Sequence, residues 1–122
     1  MFWVRLDTER AGFASGIGFT PTVRERWRAA VGAAAGEELA DELDVLIAGR
    51  GVEVAGDQVK RVPAPFEDAH PRADLIRRTG FRVCCAEPLP ASVDTPGFAD
   101  WCTGRLEVLL TVHRWRLANL TD

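Results

Sequence analysis

No stretch of this chain approaches the roughly 20 consecutive apolar residues that a helix needs to cross a bilayer. Its first ten residues, MFWVRLDTER, also lack the charged start, apolar middle and small-residue cleavage site of a secretory leader. Both absences point to a cytoplasmic protein without a membrane partner. A positive balance is missing as well: 15 basic residues stand against 18 acidic ones, a net charge of −3, so the chain offers a polyanion no overall footprint and nucleic acid is excluded as a partner. Lysine is nearly absent, Lys60 being the single one. With so much alanine and glycine beside it, that bias reads as GC-rich coding, and arginine abundance alone carries no functional signal.

Cysteine is sparse and unpaired in number. Cys84, Cys85 and Cys102 are three, without secretory context, and read as reduced thiols. Adjacent cysteines on a strand point to opposite faces, and no Cys-x-x-Cys spacing exists, so a metal centre is not expected. His113 follows Cys102 by eleven residues, about three helical turns, too far to share an ion. Gly12, Gly16 and Gly18 lack the Gly-Lys-Ser/Thr ending of a phosphate loop. No cofactor is implied, and neither internal repeats nor low-complexity tracts interrupt the chain.

What is present is the composition of one globular domain spanning residues 1–122, with 47% hydrophobic and 27% charged residues. Phe2, Val4 and Leu6 alternate with Trp3 and Arg5, a strand with two faces. The glycines that follow predict a turn-rich connection into a short second strand near Ile17–Phe19. Thr20 or Thr22 can cap a helix with Pro21 in its first turn and Val23, Trp27, Ala30 and Val31 on one stripe. EELADELDVLIAGRG predicts a second helix with Leu39, Leu43, Leu46 and Ile47 inward and Gly49 or Gly51 as its stop.

VEVAGDQVKRV reads as a hairpin turning at Gly56-Asp57. Pro71 stands at the first position of a helix running through RADLIRR to Thr79-Gly80. FRVCCAEP is a strand with Phe81, Val83 and Cys85 on one face. From about Pro96 to Leu120 the apolar pattern predicts one helix, the longest in the chain. The fold class is therefore α+β: a small, mostly antiparallel sheet of four to five short strands packed by about four helices, with a long C-terminal helix.

The stretch QVKRVPAPFEDAHPRADLIRR, residues 58–78, concentrates positive charge. From Lys60 to Arg82, the basic residues Lys60, Arg61, Arg72, Arg77, Arg78 and Arg82 face only Glu67, Asp68 and Asp74. Pro63 and Pro65 end a strand and Pro71 pre-sets a helix, so the cationic strand tip is expected to face the helix start. There Lys60, Arg61, His70, Arg72 and Arg78 form the candidate site for a phosphate or carboxylate. The competing reading is structural: Arg77 and Arg78 suit a helix C-terminus, Asp74 can pair with Arg78, and His70 caps the local backbone.

These residues resemble the signature of an uncharacterised bacterial family, domain of unknown function 2461. Val59-Lys60-Arg61, Pro63, Phe66, Asp68–Pro71 and RADLIRR take the places of its Leu-Lys-Arg, proline, aromatic, Asp-x-His-Pro-like step and basic helix. GFASGIGFTP and the C-terminal tryptophan helix are similar to its other landmarks, whereas Ala64-Pro65 stand where relatives carry a basic residue and a glycine. The resemblance covers the C-terminal part of the family pattern and implies a truncated relative, a fold and a set of positions, but no mechanism. Two functions follow as expectations. The first is a noncatalytic binding or assembly domain that self-associates through an open sheet edge. The alternative is a small-molecule enzyme or binder that takes a small anionic ligand at the basic corner.

Overall fold

The computed structural model describes residues 2–121. Four strands, β1 (Phe2–Leu6), β2 (Arg10–Gly18), β3 (Glu53–Ala55) and β4 (Gly80–Pro88), form one antiparallel sheet in the order β1-β2-β4-β3. Helices α1 (Pro21–Val31), α2 (Ala34–Arg50), the one-turn α3 (Ala73–Ile76), α4 (Phe98–Glu107) and α5 (Leu110–Leu120), with a 3-10 turn at Ala91–Asp94, complete the α+β architecture.

Sheet register divides the strand residues into two sets. Phe13, Phe81 and Val83 point into the core and are buried. The core centres on Trp27, fully buried, with Phe81, Phe19 and Trp115 rings at 4.8, 5.2 and 5.7 Å. Both core indoles satisfy their N–H groups: Trp27 Nε1 donates to Leu75 O and Trp115 Nε1 to Ala35 O, each at 2.7 Å. Truncating Trp27 to alanine would cost about 3–5 kcal/mol, the range for large buried aromatics.

Helix α1 starts as its sequence dictates, with Thr20 accepting from Val23 N at 3.2 Å and Pro21 following. Helix α2 stops at Gly51, whose φ of 64° is the left-handed C-cap conformation. Leu39, Leu43 and Leu46 of α2 are buried, but Ile47 is 48% exposed, because α2 rests on α1 and α5 along one narrow stripe.

Four local expectations need correction. The β1–β2 turn lies at Asp7–Glu9, where Asp7 Oδ1 accepts from Glu9 N (2.8 Å) and Arg10 N (2.7 Å), and the glycine-bearing stretch continues as the nine-residue β2. Gly16 fits there because a Cβ would lie 2.6 Å from Phe81 O and 3.0 Å from Arg82 Cα. Gly56-Asp57 does not close a hairpin: β3 pairs with β4, and Gln58 then bridges Arg78 on the same neighbouring segment. Between Ala55↔Arg82 and Gln58↔Arg78, two residues oppose three, a bulge that Gly56 accommodates at φ 123°.

Pro71 lies in a turn, and α3 begins only at Ala73. The C-terminal pattern is two helices, leaving α2 the longest. At the junction Val108 N and Leu109 N donate to carbonyls three residues back, tightening the turn and burying Leu109 completely. The two halves differ in their packing. Helix α4 lies against β2 through Trp101 on Phe13 (5.5 Å), whereas α5 lies mainly against α1 and α2 and touches β2 as well.

Candidate functional site

The proline-rich segment belongs to the scaffold. Its Phe66 ring packs over Gly32, where a Cβ would collide with it, and stands edge-on to the His70 ring at 5.8 Å. His70 Nδ1 accepts from Arg72 N at 3.0 Å, which orders the turn that aims the Arg72 side chain. Arg72 Nε donates to Val31 O at 2.6 Å and its Nη2 to Ala33 O at 3.3 Å. One guanidinium thus satisfies carbonyls at the end of α1 and in the α1–α2 turn.

The other basic residues of this stretch have separate surroundings. Val59 N donates to Arg77 O, so the strand tip runs beside the end of α3 and not its start. Arg77 Nε returns a bond to Val59 O at 3.0 Å, and Asp74 pairs with Arg77 at 3.6 Å on the surface. Arg78 Nη1 donates to Gly56 O at 2.8 Å, holding the bulge; partial burial lowers its pKa from the ordinary arginine value, against the nearby Asp74 charge. His70 and Arg72 are therefore together, Arg78 is tied to the β3 bulge, and Lys60 and Arg61 are exposed. None of the five lines either of the two concavities on the sheet.

An opening for a ligand lies elsewhere, on the sheet face turned away from the helices. There Trp3, Ala14, Cys84 and Glu53 form one row across all four strands. The flanking rows carry Arg5, Gly12 and Ala86 on one side and Gly16, Arg82 and Ala55 on the other. Small residues make the floor and long ones the walls. The resulting concavity has a volume of about 380 Å³ and is lined by Trp3, Arg5, Arg10, Glu53, Arg82 and Cys84 over that floor. A second, more open hollow of about 780 Å³ shares Trp3 and Arg82 and extends toward Asp57, Thr79 and Arg116.

Arg10 is fixed by donating from Nη2 to Ala86 O at 3.1 Å. Arg5 and Arg82 are exposed and, among the described residues, make no hydrogen bond or ion pair. Sequence reading placed Arg82 in the basic stretch but left out Trp3, Arg5, Arg10 and Glu53. The signal that reaches them is strand phase: each occupies the strand phase opposite the core-facing residues.

Cys84 and Cys85 separate as expected, Cys84 toward the concavity with Sγ 3.7 Å from Glu53 O, Cys85 toward the core. Burial, reinforced by Glu87, raises the Cys85 pKa above the usual thiol value. All three cysteines are free thiols, and no group of three or more His, Cys, Asp or Glu side chains among the described residues is arranged to hold a metal ion. No described helix is long and apolar enough to cross a membrane. Comparison of the chain with family models, with curated proteins and with solved structures found no match.

Proposed function

We propose that this chain is a noncatalytic binding and assembly domain that pairs with a second copy of itself along β1. The observation that carries the reading is the character of that edge: Trp3, Val4 and Leu6 are 38%, 40% and 52% exposed on a strand with a neighbour on one side only. Asp7 N donates to Arg10 O at the start of the hairpin. By the alternation of antiparallel pairs, residues 3, 5 and 7 address β2, while Phe2, Val4 and Leu6 turn their amides and carbonyls outward.

The five-residue edge is self-complementary. Antiparallel pairing about a two-fold axis at Val4 sets Val4 against Val4, Phe2 against Leu6 and Trp3 against Arg5. Apolar side chains then meet on one face. On the other, each guanidinium meets an indole instead of another guanidinium, a favourable cation–π arrangement. An unprotected apolar edge of this kind otherwise invites indiscriminate association.

Sedimentation velocity across the micromolar range tests the reading. The wild type is expected to show concentration-dependent dimer, and Val4→Lys, which puts like charges on the axis, to be monomeric with an unchanged melt. A wild type that stays monomeric throughout that range would remove it.

A further inference from the structure

The geometry points to a second property, a ligand site for a small aromatic anion on the open sheet face. It lies within one chain and needs no pairing along β1, although that pairing would bring each Arg5 beside the second copy's Trp3. Three guanidiniums, Arg5, Arg10 and Arg82, border the 380 Å³ concavity with Glu53 the one carboxylate, in a protein whose net charge is −3. That local reversal of sign favours an anion and draws it to this face. The volume falls within the range of small-molecule sites.

The shape selects further. From Trp3 to Glu53 is three strand spacings, about 14 Å, and only Ala14 and Cys84 stand between them. This floor is flat, with no side chain longer than a thiol, and a planar ring can lie on it against the Trp3 indole. Arg5 and Arg82 sit diagonally across the row, one on each side, where their free forks can close on a phosphate or carboxylate bidentately. Arg10, held by Ala86 O, adds a fixed charge at the end. Glu53, at the far end of the row, would accept a donor group of the ring system.

Contrast with the 58–78 stretch supplies the second support. Arg72, Arg77 and Arg78 each donate to a backbone carbonyl, whereas Arg5, influenced by the charge of Asp7, and Arg82 donate to no described protein atom and are available to a ligand.

Calorimetric titration with phenyl phosphate, benzoate, inorganic phosphate and phenol tests the site. Phenyl phosphate or benzoate is expected to bind at least about ten-fold more tightly than inorganic phosphate or phenol, a difference near 1.4 kcal/mol. Which of the two aromatic anions binds better distinguishes phosphate from carboxylate recognition. Arg5→Ala/Arg82→Ala should weaken the aromatic anion at least about ten-fold, Trp3→Leu should weaken it less, and Lys60→Ala/Arg61→Ala should leave it unchanged. Arg82→Gln serves if the double variant melts early. Titration of monomeric Val4→Lys keeps the two readings apart, with binding expected to persist. Failure to saturate at millimolar concentration, equal affinity for inorganic phosphate, unaltered binding in the arginine variants, or loss of binding in Val4→Lys would each overturn the proposal.

Discussion

Arg72 and Arg82 are ten residues apart in the chain and have opposite employment. The Arg72 fork is committed to Val31 O, which receives no backbone bond among the described residues, and to Ala33 O, which also accepts from Gly36 N. Arg82, two residues into β4, rises from the sheet into solvent beside Trp3. Arginine density along a sequence therefore says little about where positive charge is free. What decides is whether the fold leaves a backbone carbonyl within the reach of the side chain, and loops and helix ends do so far more often than the middle of a sheet.

The comparison breaks most visibly at Arg72. Arg72→Ala leaves Val31 O without a donor and removes the second of two bonds to Ala33 O, which keeps Gly36 N, and should lower the unfolding free energy by about 2 kcal/mol in urea denaturation. Arg72→Lys should restore less than half of that loss, since an ammonium cannot bridge both acceptors. Arg78→Ala loses one bond, to Gly56 O, and about 1–1.5 kcal/mol. An equal or larger loss from Arg78 than from Arg72 would mean that the bulge, and not the α1–α2 turn, is the more dependent region.

On the open face the expectation reverses. Arg5→Ala and Arg82→Ala should each change stability by less than about 0.5 kcal/mol, measured in the same denaturation series. A large destabilisation there would place these side chains in the scaffold and erase the contrast.

The smallest effect is a pH dependence at His113. Its ring packs on Phe2 at 4.4 Å with Arg116 Nη2 at 2.9 Å from Nδ1. Desolvation first, and the Arg116 charge second, lower its pKa from the ordinary histidine value. The unfolded chain then binds the proton more readily. This contribution to stability is complete above the unfolded pKa and is lost as pH falls through the folded one. Between pH about 7.5 and about 5, His113→Gln should flatten the melting-temperature profile by on the order of 1–2 °C.

Sequence patterns carried the elements whose signals are local. Alternation in Phe2–Leu6, the Thr20-Pro21 start of α1, the Gly51 stop of α2 and the face shared by Phe81, Val83 and Cys85 all correspond to the structure. They failed where a distant partner decides. Gly12 and Gly16 look like turn residues until β4 crosses beside them. The heptad-like run after Pro96 gives no sign of its bend, because that bend goes with tertiary packing in which both halves touch the sheet and only α5 also packs on α1 and α2.

The basic corner was legible as charge but not as geometry. Its guanidiniums find carbonyls that only the tertiary fold brings near. Conversely, Arg5 and Arg82 are 77 residues apart and meet through two strand pairings, which no spacing rule joins. Trp3 and Arg5 were already placed together on one side of β1, so extending that phase through β2 and β4 assembles the rest of the concavity.

The neighbouring thiols of β4 give this chain a reporter on each side of its sheet. A mild alkylating reagent should modify Cys84 in the native protein and be slowed by whatever occupies the space above it. Cys85, one peptide bond away, is also only partly buried but is held less acidic by its surroundings and should react more slowly, so two thiols of different reactivity can be followed in one molecule.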